Sequence, residues 1–261
     1  MKRWSSIWNV FEATSPPVGS DRTLAVLAKL ATYPDGVSLD HITAAVNSPK
    51  PTVHRAPGAL RRAGFATQDG RGHYVLGDEF LRLAFAHHEG RADHVRVNET
   101  LRTLATLYGE TVHYAVLDGD SVVYRSKVDP PDGKVRLTSV VGGRNPAHST
   151  AVGKLLLSYT LPDRSAVAAW IGDRRLPKVT DRTLTSIDTL HRELERIRAQ
   201  GYSVDDEENE PGINCLAVPA FLTGPTMPSG AISISALAYR TPLATLVGDL
   251  DTIQQITGSR P

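Results

Sequence analysis

Two eight-residue runs, TVHYAVLD at 111–118 and SVVYRSKV at 121–128, alternate apolar and polar residues and are joined by Asp118-Gly119-Asp120. A period of two on both sides of an Asp-Gly turn dictates antiparallel strands, because each run can bury only one face and the turn returns the chain at once. VRLTSV at 135–140 extends the pattern and is expected as a third strand of the meander. Helical spacing follows around 150–160, 163–171 and 186–200, then three further β-prone runs, GYSVDD, INCLAVPAF and GAISISALA. Leu243, Leu246, Val247 and Leu250 predict one closing amphipathic helix. Strands, then helices, then strands describe an α+β domain built on an antiparallel sheet rather than a parallel βαβ array. No internal repeat is present.

The chain has 261 residues, 41% of them hydrophobic, enough for one large domain or two modest ones. No apolar run approaches the ~18 residues of a membrane span, and MKRWSSIWNVFEATSPPVGS lacks the apolar centre of a secretory signal. A soluble, cytoplasmic protein without membrane contact is therefore expected. The single cysteine, Cys215, excludes an internal disulfide framework and a multi-cysteine zinc site. The net charge of +1 conceals an asymmetry: residues 1–77 hold nine Lys or Arg against five Asp or Glu, whereas DDEENE at 205–210 is a compact acidic run. A basic head and a neutral or acidic body follow.

The first twenty residues lack periodicity and read as a flexible arm. Leu24, Val26, Leu27 and Leu30 then predict a helix capped at Ser20 or Asp21 and stopped by Tyr33-Pro34-Asp35-Gly36. Ser38 caps a second helix, LDHITAAV. In SPKPTVHRAPGALRRAG, at 48–64, Val53, Ala56, Leu60 and Ala63 form an inward stripe on a third helix that carries four cations and no acid. Pro57 and Gly58 interrupt it. An interior proline costs about 3 kcal/mol, so a kink is expected near Pro57, with Thr52, His54 and Arg55 on the intact half. FATQDGRGHYVLG supplies a hairpin turning at Asp69-Gly70. Three helices and a hairpin are the winged helix-turn-helix order, in which the third helix enters the major groove and the wing meets the backbone.

RTLAVLAKL, PTVHR, GRGHYVLG, GETVHYAVLDGDSVVY, HSTAVGKLLL, GYSVDDEE and INCLAVPAF occur in this order between residues 21 and 257. In that order and spacing the chain resembles the IclR-type bacterial transcriptional regulators. The resemblance implies a winged helix-turn-helix domain at 21–77 that binds double-stranded operator DNA. It further implies a linker helix at 78–96 and a GAF-like domain at 97–261 that binds a small effector, typically an organic acid or a relative of one. It also implies a homodimer or dimer of dimers. Pro57 departs from the family, which carries an apolar residue there, and a metabolite-binding protein with a weakened DNA-binding head is the alternative.

On this frame Thr52 and His54 are candidates for base edges, and Arg22, Lys50, Arg55 and Arg71 for phosphates. In GAISISALA, Ser233 and Ser235 share one face while Ile232 and Ile234 share the other. By family position Asp205 and Cys215 join those serines, and the first amides of the helix opened by STAV, at Ala151 and Val152, are placed for a carboxylate. Asp205 beside a ligand carboxylate must be protonated or accept from a ligand hydroxyl. Asp206 to Glu210 read as a solvated charged loop.

Catalysis is not expected. Cys215, His148 and Asp205 could be assembled on paper into a thiol hydrolase, but no local signature accompanies them. AVGKLL is not a phosphate loop, since His148 and Leu155 stand where a Walker motif needs Gly and Ser or Thr. His87, His88 and His94 lack zinc spacing and are expected on a solvated face, so neither metal nor cofactor is anticipated.

Overall fold

The computed structural model describes residues 17–89, 92–131 and 137–259, and the side chains of Lys50, residues 87–89 and residues 92–94 lie outside the description. The cluster of His87, His88 and His94 therefore falls outside it. The chain divides into two compact units, Met1–Arg91 and Ala92–Pro261.

The first unit is built from α1 (Gly19–Leu30), α2 (Leu39–Ala45), α3 (Lys50–Val53), α4 (Arg55–Arg62), β1 (Ala66–Gln68), β2 (Tyr74–Leu76) and α5 (Asp78–Glu89). Helix α1 starts at Gly19, so Ser20 and Asp21 fall inside its first turn, where Asp21 faces the positive end of the dipole instead of capping it. Ser38 caps α2, its Oγ accepting the His41 N–H at 3.3 Å. Strands β1 and β2 pair in the register Ala66↔Leu76. Val26, Leu30, Ile42, Val53, Ala56, Leu60, Ala66 and Tyr74 close one core between helices and hairpin.

The proline acts upstream of its own position. The helix is interrupted at His54, three residues before Pro57, so Thr52 ends in α3 and Arg55 begins α4. That corrects the expectation of one intact half carrying Thr52, His54 and Arg55. The physical reason is that a proline at position i removes the bond to the carbonyl at i−4 and crowds it, and that carbonyl belongs to Val53. His54 keeps helical dihedrals, φ −53° and ψ −30°, so the hydrogen-bond ladder is broken while the chain keeps its course. Pro57 consequently sits in the first turn of α4, where an N–H has no intrahelical partner to lose.

The second unit comprises α6 (Ala92–Tyr108), β3 (Thr111–Asp118), β4 (Ser121–Val128), β5 (Arg144–Pro146), a 3-10 turn (Ala147–Ser149), α7 (Ala151–Thr160), α8 (Arg164–Ile171), α9 (Ile187–Gln200), β6 (Ser203–Asp206), β7 (Ile213–Ala220), β8 (Gly230–Leu237), α10 (Leu243–Gly248) and α11 (Leu250–Thr257). The strands form one antiparallel sheet in the order β5-β4-β3-β8-β7-β6. The expected strand VRLTSV is not formed at 137–140, and 135–136 lie outside the described residues. The edge position is taken by Arg144–Pro146. The closing helix is two helices, divided at Asp249.

Each face of the sheet has its own core. Ile232 and Ile234 of β8 pack with Val112, Tyr114, Leu216, Leu101 of α6 and Ile253 of α11. On the opposite face Ala115, Ala217 and Ala231 pack under Ala151, Val152 and Leu155 of α7 and Leu194 of α9. Three alanines in adjacent strands leave room for α7 to lie close. The period of two then sends Ser233 and Ser235 to the α7 side of the sheet, opposite the isoleucines.

Candidate functional site

In the first unit, His54 and Arg55 are exposed and Thr52 is half-buried, all on the outward side of the α3–α4 segment. Lys50 belongs to α3, with its side chain outside the description. Arg22 of α1 is half-buried, and its Nε is shielded from solvent with no hydrogen-bond partner among the described residues. Arg71 stands at the tip of the β1–β2 hairpin and is already engaged. Its Nε and Nη2 donate to Asp69 Oδ2 at 3.1 and 3.0 Å, and Nη2 reaches Asp35 O at 3.4 Å. Arg61 of α4 donates to Gln68 Oε1 at 2.9 Å, and Gln68 Nε2 donates to Gly72 O at 2.8 Å, so an amide strut ties α4 to the hairpin tip. That strut is absent from the sequence expectation, because a Gln in a short strand carries no signal of its partner.

In the second unit the sheet register brings four of the predicted residues together. Asp205 pairs with Cys215 and Cys215 with Ser235, which pairs in turn with Thr111; one row up, Ser233 pairs with both Ala217 and His113. Directly paired residues share a face, so Asp205, Cys215, Ser233, Ser235 and His113 all point to the α7 side. The start of α7 is folded tightly against the preceding 3-10 turn at one glycine. A Cβ on Gly153 would lie 2.1 Å from Ala147 O, a distance no side chain tolerates. Thr150 caps the helix by accepting the Gly153 N–H at 3.1 Å, and the amides of Ala151 and Val152 are the first two of the helix, without intrahelical acceptors.

The polar groups are linked. Cys215 Sγ donates to Ser235 Oγ at 3.2 Å, Ser235 Oγ lies 3.3 Å from His113 Nδ1, and His113 Nε2 lies 2.7 Å from Ser139 Oγ. Burial, helped by Lys127, pushes the His113 imidazole down to about 3, so it is neutral. The tautomer of His113 sets the direction of both of its bonds, since the Ser235 and Ser139 hydroxyls can each donate or accept. The Tyr124 ring lies 4.7 Å from that of His113, and its hydroxyl accepts from Asn145 Nδ2 at 3.1 Å. His113, Tyr124 and Asn145 escape the sequence expectation. The alternation of TVHYAVLD marks His113 as sharing a face with Ala115, but only the β3–β8 register aligns it with the serines.

Asp205 is 2% exposed, and its Oδ1 accepts the N–H groups of Glu208 at 2.7 Å and Asn209 at 3.3 Å. Burial pushes its carboxyl up to about 7, against the opposing pull of Lys154 and the Glu208 N–H. The acidic run is only in part the solvated loop expected of it, with Asp206 and Glu210 exposed. Glu208 is buried, pairs closely with the fully buried Lys154 of α7, and has its carbonyl held by Thr183 Oγ1 at 2.6 Å. Glu193 of α9 completes the ion cluster at 3.7 Å from Lys154 Nζ. Sequence spacing could not find this cluster, since its members lie on three separate elements.

The arrangement offers hydrogen bonds and helix amides rather than a nucleophile. Burial and the neighbouring Asp205 push the Cys215 thiol well above its ordinary range, the reverse of what a thiolate nucleophile needs. His148 turns its Nε2 to Pro177 O at 2.9 Å, and no bond joins it to Cys215 among the described residues. No group of three or more His, Cys, Asp or Glu among the described residues could hold a metal ion.

The family model "Bacterial transcriptional regulator IclR C-terminal" matches residues 94–251, and "IclR helix-turn-helix domain" matches residues 20–70. The HTH-type transcriptional regulator KdgR of Escherichia coli strain K12 is 35% identical over 187 residues, spanning 71% of this chain and 70% of the relative. The crystal structure of the Thermotoga maritima IclR superposes with a TM-score of 0.75 at 27% identity, covering 91% of this chain and 95% of that one. An IclR homolog from Microbacterium hydrocarbonoxydans complexed with 4-hydroxybenzoate shares the fold, with a TM-score of 0.71 at 20% identity over 91% of this chain and 98% of that one. The chain belongs to the IclR family of bacterial transcriptional regulators, ligand-responsive proteins that bind DNA.

Proposed function

We propose that a small organic acid binds between the start of α7 and the face formed by Asp205, Cys215, Ser233 and Ser235, and that its binding changes the grip of the first unit on operator DNA. The observation that carries this reading is the side-by-side row Asp205–Cys215–Ser235 beneath a helix N-terminus. The amides of Ala151 and Val152 suit a carboxylate, the serine hydroxyls suit its remaining oxygens, and Asp205 suits a ligand hydroxyl. Neither the buried Lys154 nor the half-buried Lys127 is free to take that carboxylate, because Lys154 is matched by Glu208 and Glu193 and Lys127 Nζ donates to Leu137 O and Ser139 O. On the DNA side, Thr52 and His54 read base edges while Arg22, Lys50, Arg55 and Arg71 hold phosphates.

The working assembly in this reading is a cytoplasmic homodimer or dimer of dimers. Residues 21–77 form its DNA-binding head, 78–96 the linker and 97–261 the effector domain. Leu81 and Phe85, one helical turn apart on α5 and 49% and 59% exposed, support a partner along the linker. A weakened head is not favoured, because Pro57 lies in a first turn. Calorimetric titration with 4-hydroxybenzoate and a panel of short hydroxy and oxo acids tests the ligand assignment. At least one acid binds the wild type, and Ser235→Ala weakens it about tenfold or more; an affinity untouched by Ser235→Ala would remove the assignment.

A further inference from the structure

The tip of the wing carries one anion and one cation, Asp69 and Arg71, and both oxygens of the carboxylate are in use. Oδ1 accepts the N–H groups of Arg71 at 2.9 Å and His73 at 2.8 Å, while Oδ2 accepts the Arg71 Nε at 3.1 Å and Nη2 at 3.0 Å. The His73 N–H and the Arg71 guanidinium hold this carboxyl below its ordinary range, so it is charged at neutral pH. The guanidinium is also drawn toward the turn after α1 by Asp35 O at 3.4 Å. We infer that Asp69 masks Arg71, so that the wing tip brings no net charge to the phosphates it meets and Asp69 sets how strongly and how selectively the wing contributes to binding. The inference rests on the reading that the wing meets the phosphate backbone.

Charge conservation carries the step. A carboxylate and a guanidinium about 3 Å apart present a dipole, not a charge, to a phosphate several ångströms away. If a phosphate competes for Arg71 and breaks the exposed pair, a full negative charge stays on Asp69 at the same tip. In either case the tip neutralises no net phosphate charge and releases no net counterion. The cations of the head without an acidic partner then include, on α4, Arg61, held only by a neutral amide, and the exposed Arg55 and Arg62. Removing non-specific attraction from the wing leaves affinity to the groove-reading helix, which favours sequence discrimination.

Asp69→Asn separates the charge of this side chain from its role in the turn, since the amide oxygen still accepts the two backbone N–H groups while the amide nitrogen repels the guanidinium. The probe is a random-sequence duplex of about 30 base pairs, titrated with the full chain at several salt concentrations. For each wing engaged, Asp69→Asn steepens the slope of log affinity against log salt by about 0.9, which enlarges the loss of affinity between 50 and 200 mM salt by about 3.5-fold. Asp69→Asn combined with Arg71→Ala restores the wild-type slope. Hydrogen exchange at the Arg71 and His73 amides reports whether the turn survives, and Asp69→Ser, whose hydroxyl accepts the same amide, replaces the first variant if it does not. An unchanged slope in Asp69→Asn with the turn intact overturns the masking, as does a double variant flatter than wild type by 0.9. A wild-type chain with no salt-dependent binding overturns DNA binding by this unit and the masking with it.

Discussion

Replacing Asp205 by Asn tests how the effector face stores free energy. The Asp205 carboxyl is pushed from 3.8 to about 7 in the folded chain, chiefly by burial. The folded chain therefore keeps this proton between pH 4 and pH 7, where the unfolded chain has released it. Stability falls as pH rises through that window and is level above it. A displacement of that size corresponds to about 4 kcal/mol at most, lowered in practice by relaxation and by water reaching the site. An Asn at 205 keeps an oxygen for the Glu208 and Asn209 amides and carries no charge to desolvate. Urea unfolding at pH 5 and pH 8 thus gives a difference that depends on pH. Asp205→Asn is near neutral at pH 5 and stabilising by about 1–3 kcal/mol at pH 8. The same variant loses affinity for an effector whose hydroxyl donates to Asp205. Equal destabilisation at both pH values would mean that Asp205 is ionised throughout and balances Lys154, and the reasoning would fail.

Other perturbations probe separate parts of the account. Pro57→Ala changes the stability of the first unit by less than about 1 kcal/mol in thermal unfolding, because the first turn of α4 needs no N–H at that position; a gain near the ~3 kcal/mol of a strained interior proline would contradict the placement of the break. Lys154→Met leaves the buried Glu208 without its cation, while Glu193 keeps Arg196, and destabilises the second unit by about 3–5 kcal/mol at pH 7.5, with part of the loss recovered on adding Glu208→Gln; an additive double variant in urea unfolding would deny the coupling. Gly153→Ala drives a methyl into Ala147 O, so α7 must shift and effector binding in calorimetry is lost; retained wild-type affinity would show that the start of α7 is not part of the site.

The strands were readable because their β-prone composition and the Asp-Gly turn between them are local signals. TVHYAVLD and SVVYRSKV become β3 and β4 around Gly119, and SISIS divides its hydroxyls and isoleucines between the two sheet faces. Residues 137–140 of VRLTSV form no strand where a short edge segment with fewer apolar residues succeeds, since edge pairing depends on the strand beside it more than on its own pattern. Pro57 announces a break, but the break falls at His54, next to the Val53 carbonyl that the i−4 geometry of proline leaves unbonded. The site is only partly local. Asp205, Cys215 and the serines share a face by alternation, whereas their alliance with His113 comes from the β3–β8 register and the Lys154–Glu208 pair from α7 packing over β6. Charges six residues deep in an acidic run look solvated until a buried lysine 54 positions away meets one of them.

In the proposed function a small acid bound in the second unit governs how the first unit holds DNA. Fluorescence anisotropy of a labelled duplex from the chain's own upstream genomic region, titrated at low salt with and without 4-hydroxybenzoate and the panel of short acids, measures this directly. The account predicts binding that weakens steeply with added salt and shifts at least fivefold with one of the acids, a shift abolished by Ser235→Ala. Salt-dependent binding that no acid alters, or that Ser235→Ala leaves equally responsive, would contradict it.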